Sequence, residues 1–195
     1  MKILAFETTD SIASVALYLD GETFESVIDT DKRHAESVLP AAENLLSAHG
    51  LSTADMDAFA ADVGPGSFTG VRIGVCMANA LGAAHGKPVI AINALETLAY
   101  PYRTETVCAL IDARNGNAYG AVYESGAVLR EPCACVIADF TANLPDGCRM
   151  VGSATSDPKL PSAAVIATIA AQRQGEKEIV PLYLKLSQAE RLRNA

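Results

Sequence analysis

The stretch that decides the fold is Lys2-Ile3-Leu4-Ala5-Phe6-Glu7-Thr8-Thr9-Asp10-Ser11-Ile12-Ala13-Ser14-Val15-Ala16-Leu17-Tyr18-Leu19-Asp20-Gly21. The apolar run from Lys2 to Glu7 reads as a buried strand, ended by the polar turn Thr8-Thr9-Asp10-Ser11. Ile12 to Asp20 alternates and is rich in small and β-branched residues, which predicts a second strand. Asp20-Gly21 is a strong two-residue hairpin signal, and Thr23 to Asp29 supplies a third strand. Sliding the sequence by 105 residues without a gap lays Glu7 on Asp112, Ala16 on Ala121, Leu17 on Val122, Tyr18 on Tyr123 and Gly21 on Gly126. Both windows read strand, polar turn, strand, tight turn, strand. Two generic hairpins are the alternative, and an internal duplication is the preferred reading.

Outward from this stretch, Val38, Ala41, Ala42, Leu45 and Leu46 fall at helical spacing and predict a helix from Ser37 to His49. Pro40 is placed in its first turn, where it is tolerated, and Gly50 stops it. Met56 to Val63 reads as a fourth strand, followed by the loop Gly64-Pro65-Gly66-Ser67-Phe68-Thr69-Gly70, a helix to about Ala84, a short strand Val89 to Asn93 and a helix near Leu95 to Tyr100. The second half offers one clear helix, Ala163 to Gln174, and a tail from Ile179 to Arg193. Two β-β-β-α units in tandem are the layout of the actin-like ATPase superfamily. The expected fold is therefore α/β, a duplicated actin-like (ribonuclease H-like) fold, with a first lobe over residues 1–103 and a second, abbreviated lobe plus tail over 104–195.

Composition narrows the function classes. Half of the 195 residues are hydrophobic and 19% are charged, which excludes a disordered chain. The net charge is −8, with 15 Lys and Arg against 23 Asp and Glu. Phosphate backbones reward clustered cations, so autonomous nucleic-acid binding is not expected, although a partner subunit could bring the basic surface. Cys76, Cys108, Cys133, Cys135 and Cys148 form no paired CxxC spacing and read as reduced thiols. The first apolar run is broken at Glu7, too short for a secretory signal, and no apolar stretch approaches the roughly 20 residues of a membrane span. The expectation is a cytoplasmic protein.

The glycine-rich loop carries the strongest hint of chemistry. Gly64, Gly66 and Gly70 follow a strand and open a helix, whose unpaired N–H groups could hold an anion. The loop has no Lys, and its spacing departs from both the P-loop and the dinucleotide fingerprint. The competing reading is that the glycines permit a tight turn and close packing. Gly70, Gly74, Ala78 and Gly82 are spaced by four and share one helix face, fit either for the chain's own sheet or for a partner helix. Glu7 and Asp112, in equivalent turns, fall where actin-like ATPases keep the acids that face a magnesium nucleotide. The candidates for nucleotide or anion contact are thus Glu7, Thr8, Gly64, Gly66, Ser67 and Asp112. The first turn lacks glycine, and Val151-Gly152-Ser153-Ala154 is the one weak adenosine candidate. His34, His49 and His85 lack a chelating spacing and read as structural. No catalytic triad and no metal-ligand set stands out.

Several segments together resemble the TsaB family of tRNA threonylcarbamoyladenosine biosynthesis proteins: Ile3 to Thr9, Arg33-His34-Ala35-Glu36, the very specific Gly64-Pro65-Gly66-Ser67-Phe68-Thr69-Gly70-Val71-Arg72-Ile73-Gly74, Ile111-Asp112-Ala113-Arg114, and Pro181-Leu182-Tyr183-Leu184. The likeness covers nearly the whole chain in order. It implies a non-catalytic scaffold that pairs with the catalytic paralogue TsaD through first-lobe helices and, with the ATPase TsaE, supports threonylcarbamoyl transfer to the adenosine beside the anticodon. The catalytic paralogue carries two metal-binding histidines; Ala94 and Leu98 stand at the matching positions here. The resemblance further implies a homodimer when alone, tRNA contact only through the complex, no membrane, and ATP or ADP only at an interface shared in the complex. The expected partner face combines Val38, Ala42, Leu45 and Leu46 with Gly70, Gly74, Ala78 and Gly82. A minimal actin-like ATPase or small-molecule kinase using Glu7 and Asp112 is the rival, and a peptidase a distant third.

Overall fold

The computed structural model describes residues 1–28 and 34–185; the end of the third predicted strand at Asp29, the basic pair before the first helix and the tail beyond Lys185 lie outside the described residues. The chain begins with three antiparallel strands, β1 (Lys2–Glu7), β2 (Ala13–Leu19) and β3 (Glu22–Ile28). Helix α1 (His34–Ala48), β4 (Ala58–Asp62), α2 (Phe68–His85), β5 (Val89–Ile92) and α3 (Ala94–Ala99) follow. The second half contributes β6 (Thr106–Asp112), β7 (Asn117–Glu124), β8 (Ala127–Val136), α4 (Ile137–Thr141), β9 (Arg149–Val151) and α5 (Ala163–Ala170).

Two sheets result, one in the order β3-β2-β1-β4-β5 and one in the order β8-β7-β6-β9. In each, three antiparallel strands are extended by a parallel one, β4 beside β1 and β9 beside β6. The hairpin turns are equivalent as well: Asp20 and Gly21 have φ of 49° and 107°, Ser125 and Gly126 have 51° and 80°. Both central positions at positive φ match the right-handed twist of the strands they join, which favours Gly at the second. At that turn Glu124 pairs with Ala127 as Leu19 pairs with Glu22; further along, irregularities near Gly120 and Val122 shift the register of β8. The protein has the duplicated actin-like α/β fold expected from its sequence.

Alternation along the strands fixes the layers. On β1, Leu4 and Phe6 point into a core with Val38, Ala42 and Leu46 of α1 and Val71, Val75 and Ala78 of α2. Ile3 and Ala5 point the other way, against Ala163, Ile166, Ala167 and Ala170 of α5. The central strand is buried on both faces, so it reads as a continuous apolar run. Two expectations are corrected here. Helix α5, expected to belong to the second lobe, covers the first sheet, and the tail residues Ile179 and Leu182 pack into the first core. Conversely, α3 packs against the second sheet through Ala94, Leu95 and Leu98. A boundary at 103/104 thus separates the two sheets and not their helical layers, because the chain crosses back once.

Pro40 is also displaced from expectation. Helix α1 begins at His34, so Pro40 lies in its interior and removes one helical hydrogen bond. Burial of Val38, Ala42 and Leu46 on one stripe holds the helix through that defect.

Helix α2 lies unusually close to the sheet. Ser67 caps it, its hydroxyl accepting from the Gly70 N–H at 3.3 Å. A Cβ on Gly70 would sit inside the Thr8 carbonyl oxygen, and one on Gly74 would meet the Thr8 Oγ1 at 2.8 Å. Gly82 lies against Val89 and the Lys87 carbonyl in the same way. The Thr8 hydroxyl completes the contact, donating to the Gly70 carbonyl at 2.7 Å and accepting from the Gly74 N–H at 3.1 Å. Gly70→Ala therefore lowers the melting temperature even though Ala gains about 1 kcal/mol over Gly in a free helix; a rise on thermal denaturation would refute the close approach. Thr8→Val keeps the shape and strands a buried N–H and carbonyl, so chemical denaturation gives a loss of about 1–3 kcal/mol; an unchanged midpoint would show that the hydroxyl carries nothing.

Candidate functional site

The site grows from the ends of two parallel strands. Register pairs Phe6 of β1 with Ala61 of β4, which sets the next residues, Glu7 and Asp62, side by side. Both side chains are buried, Glu7 completely. Glu7 Oε1 accepts from the Thr9 N–H and the Thr9 hydroxyl, each at 2.6 Å. Asp62 Oδ1 accepts from the Gly64 N–H at 2.7 Å. Among the described residues the other oxygen of each carboxyl has no hydrogen-bond partner. Loss of hydration raises the Glu7 carboxyl above its usual range, with the Asp62 and Thr9 hydrogen bonds pulling the other way. For Asp62, burial together with the neighbouring Glu7 pushes the carboxyl well above the ordinary range. Sequence reasoning missed Asp62; the signal was an acid ending an apolar strand directly before the glycine-rich loop.

The predicted anion contacts converge on this place, and the chain itself occupies them. The Ser67 N–H donates to the Thr9 carbonyl at 2.7 Å. A Cβ on Gly66 would lie 2.7 Å from that same carbonyl oxygen. The Gly64 N–H is taken by Asp62 and the Thr8 hydroxyl by the Gly70 carbonyl. The glycines thus serve close packing of the loop on the first turn. Asp112, exposed at the end of β6 in the second sheet, accepts at its Oδ1 from the Arg114 N–H at 2.8 Å, and its own N–H donates to the Ser153 hydroxyl at 3.0 Å. The acid that the register sets beside Glu7 is Asp62.

The tail segment Pro181-Leu182-Tyr183 docks on the same loop, which its sequence did not reveal. The Leu182 N–H donates to the Val63 carbonyl at 2.7 Å, and the Arg72 Nε donates to the Tyr183 hydroxyl at 2.8 Å. Arg72 also lies 3.9 Å over the Phe68 ring, and Phe68 stacks on Tyr183. Arg72, beside the helix entrance, is thereby held by aromatic faces.

The expected partner face is corrected by burial. Val38, Ala42 and Leu46 are enclosed in the first core, Leu45 is half-buried against it, and Gly70, Gly74, Ala78 and Gly82 face the chain's own sheet. Small residues were needed for backbone to approach backbone within one chain. The outward faces of α1 and α2 carry other residues, among them Leu39, Phe68 and Cys76.

The remaining candidates are structural. Ala94 and Leu98 are buried in the second-lobe core, and Asn93 caps α3 by accepting from the Leu95 N–H at 2.8 Å. His49 bonds the Leu45 carbonyl and His85 the Thr53 hydroxyl; the side chain of His34 is outside the described residues. Burial pushes the Cys108 thiol up to about 12, so it stays protonated. Among the described residues no three His, Cys, Asp or Glu side chains could together hold a metal ion. No helix of the described residues is long and apolar enough to cross a membrane.

Comparison with known proteins places this architecture. The family model described as TsaD, tRNA N6-adenosine threonylcarbamoyltransferase, matches residues 27–189. The tRNA threonylcarbamoyladenosine biosynthesis protein TsaB of Escherichia coli is 38% identical over 128 residues, 64% of this chain and 55% of that protein. The TsaB of Bacillus subtilis is 33% identical over 127 residues, 64% of this chain and 56% of that protein. The match thus spans little more than half the length of these relatives. A crystal structure from Pseudomonas aeruginosa, described as an uncharacterized protein with similarity to peptidase YEAZ, superposes with a TM-score of 0.85 at 27% identity, covering 94% of this chain and 99% of that one. With a family match over most of its length and this structural likeness, the chain belongs to the threonylcarbamoyltransferase family described by TsaD and, within it, is a TsaB/YeaZ-like protein.

Proposed function

We propose that the chain is a non-catalytic subunit of the machinery for tRNA threonylcarbamoyladenosine biosynthesis, acting on a TsaD-like catalytic paralogue. One observation carries the reading: Ala94 and Leu98, which the family resemblance sets against the paralogue's metal-binding histidines, are buried in the second-lobe core. Neither side chain can coordinate a metal. The packing of Thr8, Thr9 and the glycine-rich loop supports a chain that binds no nucleotide by itself, with ATP or ADP entering at an interface formed in the complex. Its net charge of −8 supports tRNA contact through the other subunits. The partner face of α1 and α2 moves to their outward sides, where Leu39 and Phe68 are exposed. The same side serves a homodimer when the chain is alone, and work in the cytoplasm follows from this role.

Reconstitution tests the proposal. The catalytic paralogue, the ATPase TsaE, tRNA and the threonylcarbamoyl precursor are combined with and without this chain. Modification requires the chain, and the chain alone produces none. Equal modification in its absence, or metal-dependent turnover by the chain unaided, would overturn the role.

A further inference from the structure

The carboxyl pair beneath the glycine-rich loop has a use that the subunit role does not supply. Glu7 Oε2 and Asp62 Oδ2 are both buried and, among the described residues, both without a hydrogen-bond partner. Two ionised carboxylates in that position would repel each other in a low dielectric with no hydration. One proton between them turns the repulsion into a hydrogen bond and gives each orphaned oxygen a partner. We propose that Glu7 and Asp62 share a single proton, and that this proton locks the glycine-rich loop and the start of α2 onto the first turn.

The lock works through hydrogen bonds at both ends of the loop. Glu7 holds Thr9 through two hydrogen bonds, and the Thr9 carbonyl holds the Ser67 N–H at the mouth of α2. Asp62 holds the Gly64 N–H at the other end of the loop. Among the described residues the neighbours of the pair carry few charges, and the tail and the entrance of α3 reach the same segment through the Leu182 and Ala94 N–H groups. On the first turn Asp10 adds repulsion to Glu7. Strand β2 brings Ser14 opposite Glu7, its hydroxyl taken by the Ala163 N–H of α5, and β5 brings Ile92 opposite Asp62. Helix α2 presents Gly70 and Gly74, and its Arg72 is turned to Phe68 and Tyr183. Among the described residues the charges acting on the pair are therefore its own and that of Asp10.

The sign of the pH dependence follows. The unfolded chain releases both protons in the ordinary carboxylate range, whereas the folded chain keeps one to higher pH. Stability is complete below that range and falls as pH rises towards the raised value of the pair. The unfolding equilibrium is measured by chemical denaturation from about pH 5 to about pH 8 for the wild type, Asp62→Asn and Glu7→Gln, and the folding constant of the wild type falls by up to about tenfold per pH unit within the window. Asp62→Asn replaces the protonated acid by an amide that donates to Glu7 while its oxygen still accepts from Gly64, so its slope flattens, and Glu7→Gln flattens likewise. Independently of either variant, carbon NMR of the wild-type carboxyls shows the pair titrating in two separate steps, one far above the ordinary range. Parallel pH profiles for wild type and both variants, or complete ionisation of both groups in the ordinary range, would overturn the shared proton. A magnesium-dependent rise in melting temperature lost in Asp62→Asn would assign the space to a cation and overturn it equally.

Discussion

The structure depends on one close approach, the seating of helix α2 on the turn that ends β1. The Thr8 hydroxyl reads both the carbonyl of Gly70 and the N–H of Gly74, which is feasible only where no Cβ intervenes. That contact fixes the entry angle of the helix and brings the glycine-rich loop down on Thr9. It also sets the helix low enough for Val71, Val75 and Ala78 to join the core with Leu4 and Phe6. Gly within a helix costs about 1 kcal/mol against Ala, and dense packing offsets it here.

The same contact decides what the site can do. The loop before this helix is where backbone N–H groups at a helix N-terminus could hold an anion. Here the N–H groups of Ser67 and Gly64 are satisfied by Thr9 and Asp62. The loop has become a structural joint, and the tail, through Leu182 and Tyr183, is bound to it from outside.

Much of the fold was legible because its signals are local. Asp20-Gly21 fixes a hairpin through backbone preference, and the apolar run of β1 announces burial on both faces. The repeat at 105 residues carried the duplicated topology because two sheets with the same order need the same sequence of strands and turns. What could not be read is non-local. Ala-Ala-Val-Ile-Ala-Thr-Ile-Ala, residues 163–170, is apolar nearly all round, so its sequence states that it is buried and not against which sheet. The stripe Gly70, Gly74, Ala78 and Gly82 permits close approach without naming the neighbour. Asp62 became part of the site through the register between β1 and β4, which no spacing along the chain reveals. Pro40 misled because the start of α1 has no sequence signal strong enough to precede it.

Calorimetric titration of the isolated chain with magnesium-ATP tests the central claim most directly, since Thr9 and Asp62 already take the Ser67 and Gly64 N–H groups of the loop. The account predicts no heat beyond dilution for the wild type. Saturable micromolar binding of magnesium-ATP by the isolated chain would contradict it.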